Sequence, residues 1–130
     1  MVILCSDFFS VNRFLMKYIT ANELYTLLQT NNRSTSPVIV IDVRDEDIEG
    51  GQIKSAINIP CSDFLDNVER YAEKYKEADL VVFHCALSQV RGPKCYNAYS
   101  RYTCNGAILR GGFETWRELF GRSDYTVHLC

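Results

Sequence analysis

Leu80-Val81-Val82-Phe83-His84-Cys85-Ala86-Leu87-Ser88-Gln89-Val90-Arg91-Gly92-Pro93 is the stretch on which this chain turns. Its first four residues are a continuous apolar run, as expected of a strand buried on both faces. Pro93 suits the first turn of a helix, where its missing N–H is no loss. Gly92 lets the backbone turn closely at the exit of the loop. Between strand and helix lie one cysteine, five further residues and one arginine. Successive loop N–H groups can form a concave anion nest, and the helix start adds unpaired N–H groups and the positive end of its dipole. A guanidinium binds two oxyanion oxygens at once. The same potential falls on the Cys85 sulfur and favours the thiolate. A lone cysteine at a strand end is ordinarily a small core residue. The ordered run here points instead to a loop that binds a tetrahedral oxyanion and aims a nucleophile at it.

Outward from this stretch, strands and helices alternate. Tyr18-Ile19 reads as a short strand. Thr20 and Glu23 stand in capping-box positions for a helix carrying Leu24, Leu27 and Leu28. Residues 31–37 are rich in Asn, Ser and Thr and read as a surface loop. Val38-Ile39-Val40-Ile41 is a second doubly buried strand, followed by a polar loop from Asp42 to Gly51. Ala56 to Ile59 is a third strand, stopped by Pro60. A helix from Ser62 places Phe64, Leu65, Val68, Tyr71, Ala72 and Tyr75 on one face. The helix after the Cys85 loop is expected to reach Tyr102, and Ala107-Ile108-Leu109 is a fifth strand. Gly111-Gly112 breaks the chain before a last helix, which buries Phe113, Trp116 and Phe120. The order implies an α/β fold with a central, mostly parallel five-stranded sheet and helices on both faces. Ligands in such folds sit beyond the carboxyl ends of the strands, where the Cys85 loop falls. Residues 1–16 read as an arm or extension, and 17–130 as a single domain.

Composition narrows the function classes. The chain has 130 residues, 47% hydrophobic and 23% charged, with a net charge of −2. That balance supplies no global field for nucleic acid or an anionic membrane. No apolar run approaches a membrane span. Val2 to Cys5 and Phe8-Phe9 are apolar, but Asp7 and Arg13 interrupt them and no basic segment precedes them, which argues against a secretory signal. The six cysteines are Cys5, Cys61, Cys85, Cys95, Cys104 and Cys130, spread widely and without a Cys-x-x-Cys pair. They suit free thiols in the reducing cytosol or nucleus. No metal site is expected.

Four stretches together resemble a rhodanese-homology domain over roughly Tyr18 to Phe120, in the order of their motifs. They are Ile41-Asp42-Val43-Arg44 with Asp47, Gly50-Gly51-Gln52-Ile53-Lys54-Ser55-Ala56-Ile57-Asn58-Ile59-Pro60, Val82-Phe83-His84-Cys85, and Leu109-Arg110-Gly111-Gly112-Phe113 with Trp116. Sulfurtransferases of that fold usually have an active loop one residue shorter. The longer Cys-x5-Arg loop followed by Gly-Pro resembles the M-phase-inducer phosphatases. It also resembles their small relatives, the eukaryotic arsenate reductases and the single-domain fungal and plant phosphatases. Some positions depart from that branch. Val90 stands where the M-phase-inducer enzymes carry a glutamate, and Val43 where they carry a second cysteine. Gln52 replaces the usual histidine, and of the plant zinc-binding tail only His128 and Cys130 remain. The departures weigh against a cell-cycle-kinase substrate and against zinc.

The resemblance implies a cysteine-dependent phosphatase working through a phosphocysteine. Cys85 would be the nucleophile, and Arg91 with the N–H groups of Ala86, Leu87, Ser88, Gln89, Val90 and Arg91 would hold the oxyanion. Asp42, Arg44 and Asp47 would brace the loop. The alternative is arsenate reduction by the same thiolate, with glutathione or glutaredoxin as reductant and no other cofactor. Thiosulfate sulfur transfer and a non-catalytic phospho-binding module are more distant readings. The expected partner is a phosphorylated protein or a small phosphate or arsenate oxyanion, and the chain itself a monomer or weak dimer. Strand alternation turns His84 away from the Cys85 side, so it is expected to fix the loop from behind. The Ser88 hydroxyl either donates to sulfur or oxyanion or faces solvent. Cys95 is either a resolving thiol or a packing residue, and Arg110 either faces the pocket edge or is a surface residue. No carboxylate among Asp42, Asp45, Glu46, Asp47 and Glu49 stands out as a proton donor.

Overall fold

Two uninterrupted apolar runs form the middle of the sheet. In the computed structural model, which describes residues 16–30, 37–48 and 50–128, β2 (Val38–Asp42) and β5 (Leu80–His84) pair in parallel. Their register runs from Val38 opposite Leu80 to Asp42 opposite His84. β4 (Ile57–Asn58) flanks β2. β6 (Gly106–Leu109) and then β1 (Tyr18–Ile19) extend the other side. The order is β1-β6-β5-β2-β4 and every pairing is parallel. From β2 the chain moves outward to β4, whereas from β5 it moves the other way to β6. The sheet therefore has a topological switch point between β2 and β5, and the Cys85 loop leaves from it. The expectations for residues 1–15 and 31–36, and for Glu49, Cys5 and Cys130, lie outside the described residues.

Alternating strand side chains fill two cores. On one face Val40, Val82, Ala107 and Leu109 meet α1 (Ala21–Thr30) and α5 (Gly112–Phe120) through Leu24, Leu28, Phe113 and Trp116. On the other, Ile41, Val81 and Phe83 meet α2 (Cys61–Asp66), α3 (Val68–Tyr75) and α4 (Arg91–Tyr99) through Phe64, Ala72, Tyr75, Cys95 and Tyr99. The start of α1 carries the expected reciprocal cap. The Glu23 N–H donates to Thr20 Oγ1 at 3.1 Å, and the Thr20 N–H to Glu23 Oε1 at 2.9 Å. Such a cap stabilises a helix by about 1 kcal/mol.

The structure departs from the periodicity in four places. The helix expected from Ser62 starts at Cys61 and is broken at Asn67 (φ −129°, ψ 25°). There Asn67 Nδ2 donates to the Asp63 carbonyl at 3.0 Å, a local bond that competes with the helix. α4 stops at Tyr99, and the chain to Tyr102 continues as tighter turns, with the Tyr102 N–H on the Tyr99 carbonyl. The third strand is only Ile57–Asn58, since its partner β2 ends at Asp42, opposite Asn58; beside that end Asn58 Nδ2 donates to the carbonyls of Asp42 (2.8 Å) and Arg44 (3.0 Å). A second, antiparallel sheet of β3 (Gln52–Ile53) and β7 (Thr126–Val127) was not expected, since two-residue strands carry no periodicity. Its close approach needs Gly51 (φ 118°), where a Cβ would lie 2.7 Å from the Val127 carbonyl oxygen.

The N-terminus of α5 sets the orientation of the loop after β5. Its first free N–H groups, of Phe113 and Glu114, donate to the carbonyls of Cys85 and Ala86, each at 3.0 Å. Gly112 permits this contact. It has φ 62°, and a Cβ there would lie 2.6 Å from the Cys85 oxygen and 2.5 Å from that of Ala86. Replacing Gly112 with Ala is expected to lower stability by about 2–4 kcal/mol, from left-handed backbone strain plus displacement of both carbonyls. Urea unfolding followed by circular dichroism should show a lower midpoint with an unchanged slope.

Candidate active site

Cys85 is the first residue beyond β5 and is buried, with 3% of its surface exposed. The turn of the chain brings the Gly92 N–H, in the first turn of α4, to 3.4 Å from the Cys85 sulfur. Because the carbonyls of Cys85 and Ala86 are held outward by α5, the amides that follow them are free on the loop side. Among the described residues, none accepts a hydrogen bond from the N–H groups of Ala86 to Arg91. Ser88 adopts a left-handed conformation (φ 56°) in the middle of the loop. Its hydroxyl is buried, not solvent-facing, and has no partner. Leu87 and Val90 form an exposed apolar rim.

Arg91 opens α4, and its fork closes on Asp47: Nη1 to Oδ1 at 2.9 Å and Nη2 to Oδ2 at 2.7 Å. Asp45 adds a longer contact to Nη1 at 3.5 Å. The Arg91 hydrogen bonds, ahead of all other influences, hold the Asp47 carboxyl at about 2. Asp47 is therefore ionised at neutral pH and has no proton to give. Arg91 in turn is held charged more firmly than usual, first by its bond to Asp47.

Behind the loop sits a buried charged layer. Arg44 is 2% exposed and grips Asp42 through Nε (2.9 Å) and Nη2 (2.7 Å). Its Nη2 also donates to the Gly51 carbonyl at 2.8 Å, and its Nη1 to the Asp47 carbonyl at 3.4 Å. The guanidinium lies 4.3 Å over the Phe113 ring. His84 is fully buried; its Nδ1 lies 3.2 Å from the Cys85 carbonyl, and its ring stacks near Phe113. Its Nε2 makes no hydrogen bond and lies 3.9 Å from Asp42 Oδ2. A neutral imidazole donating from Nδ1 accounts for both observations. The loop is thus supported from below by a layer running from Asp47 through Arg44 and Asp42 to His84.

A family model, the rhodanese-like domain, matches residues 20–119. The chain belongs to the rhodanese-like domain family. Its relatives include the dual specificity phosphatase Cdc25 of Arabidopsis thaliana, 34% identical over 111 residues that cover 78% of this chain and 73% of that one. Arsenate reductase 2.1 of Oryza sativa subsp. japonica is 34% identical over 117 residues, covering 82% and 70%. Among solved structures, the As-Sb reductase from Leishmania major superposes with a TM-score of 0.77 at 34% identity, covering 88% of both chains. The relatives are thus both phosphatases and arsenate reductases.

The other singled-out residues of this rhodanese-like chain separate from the loop. Cys95 turns its sulfur to Cys61, 3.6 Å away. Arg110 lies over the Tyr18 ring at 4.3 Å, on the β1 edge. Cys104 is exposed. Val43 is fully buried in the same core cluster as Cys85. Among the described residues no group of three or more His, Cys, Asp or Glu could hold a metal ion, and no helix is long and apolar enough to cross a membrane. Sequence reasoning missed Gly112 and Phe113 as residues that position the loop, and Asn58 as the one that holds the carbonyls of Asp42 and Arg44. The Gly111-Gly112 doublet was the available signal, but it read as a break and as part of a family pattern, not as an opening for two carbonyls.

The buried layer makes stability depend on pH. Burial lowers the His84 pKa against an opposing pull from Asp42. For Asp42 burial raises the carboxyl, but the Arg44 bonds and charge and the His84 charge outweigh it and leave a net lowering. Both pKa values fall on folding, so both contributions are complete above the ordinary values and are lost as pH drops through the folded ones. His84 begins this loss below about pH 6.5, and Asp42 only below about pH 4. As pH falls from about 6.5 toward 5 the protein should lose stability through His84, at no more than about 1.4 kcal/mol per pH unit. A His84→Gln variant should show a flatter dependence over that interval in urea melts at stepped pH.

Proposed function

We propose that this chain is a cysteine-dependent phosphatase acting on phosphotyrosine-like or aryl phosphate esters. One observation carries the proposal: among the described residues, the amides of Ala86 to Arg91 that follow the buried Cys85 have no acceptor, while the Cys85 and Ala86 carbonyls are tied to α5. Such a hollow suits three equatorial oxygens of a phosphoryl group. The unpartnered Ser88 hydroxyl would gain its missing partner from the same guest.

In the first step the Cys85 sulfur attacks phosphorus in line. The S–P bond forms as the P–O bond to the leaving alcohol breaks, giving a phosphocysteine. Water then attacks phosphorus, releases phosphate and returns the thiol. The amides and the Arg91 fork hold the equatorial oxygens, most strongly where charge develops. With both Nη atoms on Asp47, the guanidinium is fixed in plane and retains N–H groups for the substrate. Asp47 cannot donate a proton to the leaving group, which favours phenolate over alkoxide departure. The exposed Leu87 and Val90 offer apolar contact to an aromatic ring at the rim.

Arsenate reduction is the second reading, favoured by the likeness to the Leishmania As-Sb reductase and rice arsenate reductase. Here Cys85 condenses with arsenate, with loss of water. Glutathione then attacks the cysteine sulfur, and the two electrons of the S–As bond leave with arsenic as arsenite. The resulting mixed disulfide is reduced by glutaredoxin. The cytosolic or nuclear setting and the monomeric or weakly dimeric state expected above belong to either reading.

One panel of assays separates these readings: an aryl phosphate, arsenate with glutathione and glutaredoxin, and thiosulfate with cyanide. Phosphate release by the parent is expected, with a loss of about 10³-fold or more in Cys85→Ser and about 10²–10³-fold in kcat for Arg91→Lys. Aryl esters should exceed alkyl esters by about 10²-fold or more, for want of a general acid. Arsenite formation without phosphate release would establish the second reading instead. Retained phosphopeptide binding without turnover in any assay would leave a binding module.

A further inference from the structure

Cys61 and Cys95 meet on the rear of the helix that carries Arg91, outside the Cys85 loop. Cys61 is the first residue of α2 and is half-buried, and Cys95 lies in α4 and is fully buried. They are 34 residues apart in sequence, and the packing of α2 on α4 brings their sulfurs to 3.6 Å. The Cys95 thiol also faces the Cys61 carbonyl at 4.0 Å. A disulfide has its sulfurs about 2.05 Å apart, so closure by about 1.5 Å is needed, a distance within reach of side-chain rotation and slight movement of a helix end. Burial, and then the neighbouring Cys61, raise the Cys95 thiol above its ordinary range. An oxidant in solution therefore meets Cys61 first, from the half-exposed side.

We propose that Cys61 and Cys95 are an oxidative modification site, a dithiol that closes reversibly to a disulfide and ties α2 to α4 without using Cys85. The oxidant is a small-molecule disulfide such as oxidised glutathione. The Cys61 thiolate attacks one of its sulfurs, forms a mixed disulfide and expels one thiolate, which takes up a proton. Cys95 then loses its proton, attacks the Cys61 sulfur and expels the second thiolate. Two protein thiols are oxidised, and one external disulfide is reduced to two thiols. The new bond lies one turn beyond Arg91 and Gly92, so it fixes the helix whose start reaches the Cys85 sulfur and leaves the loop itself open.

The test uses the full chain and its Cys85→Ser variant, each equilibrated under argon with graded ratios of reduced to oxidised glutathione. Acid quenching, alkylation and trypsin digestion follow. Cleavage leaves Cys61 as the sole cysteine of Ser55–Arg70 and Cys95 as the sole cysteine of Cys95–Arg101. Mass spectrometry should find these two peptides joined in both proteins, increasingly so with the oxidised fraction, and separated again by excess reduced glutathione. Alkylation of both cysteines across the whole range overturns the proposal. So does either sulfur ending on glutathione or on Cys85 in place of the mutual bond, or a bond that forms only when Cys85 is present.

Discussion

The structure of the site depends on two hydrogen bonds from the start of α5. By accepting the N–H groups of Phe113 and Glu114, the carbonyls of Cys85 and Ala86 are turned away from the loop interior. A peptide plane that sends its carbonyl one way sends its N–H the other. Anchoring these two carbonyls thus starts a run of amides that none of the described residues satisfies. The helix gains as well, because two of its otherwise unpaired N–H groups find acceptors. Gly112 is required on both counts: it supplies the left-handed turn and leaves room for the carbonyls.

The buried layer beneath the loop is built around the same helix. Phe113 donates its N–H to Cys85, carries the Arg44 guanidinium on its ring and stacks near His84. Arg44 holds Asp42, at the end of β2, and also reaches the carbonyls of Asp47 and Gly51. Asp47 then holds Arg91. Each buried charge is paired, as burial demands, since an unpaired one costs several kcal/mol. The arrangement ties together the ends of β2 and β5, the start of α4 and the start of α5, four pieces that must keep register for the loop to keep its shape.

How much of this could be read from residues alone differed by the range of the interaction. The central strands were legible because Val38-Ile39-Val40-Ile41 and Leu80-Val81-Val82-Phe83 are apolar without interruption, a signal confined to four residues. The Thr20–Glu23 cap was legible for the same reason. The loop itself, from Cys85 to Pro93, carries its own local chemistry, and it leaves the carboxyl end of β5 as its sequence implied. What stayed hidden was non-local. Nothing near Asp47 announces that its partner is Arg91, and nothing near Gly112 announces the carbonyls it admits. Cys95 was considered against Cys85 on chain proximity, yet its sulfur meets Cys61, which packing supplies from 34 positions away. Asn67 broke a helix whose apolar face is continuous because one amide–carbonyl bond outweighed a smooth pattern.

Electrostatics connects the acidic rim to the choice of guest. The chain carries a net charge of −2, and Asp45 and Asp47 stand beside Arg91. A cation whose fork is already matched by a carboxylate adds little long-range attraction, so capture cannot rest on a broad positive surface. On the proposed function it rests on short-range donors, the loop amides and the remaining guanidinium N–H groups. Those donors favour whatever concentrates negative charge on several oxygens at bonding distance, which describes a five-coordinate phosphorus or an arsenate bound through sulfur better than a carboxylate or a sulfate ester. A hollow of this type does not by itself distinguish phosphorus from arsenic. On the two proposed readings, the distinction lies in what happens after sulfur bonds to the central atom: attack by water at phosphorus, or attack by a second thiol at sulfur. On those readings access to the Cys85 sulfur, which is 3% exposed, decides between them, because water reaches a buried centre more readily than a tripeptide thiol does.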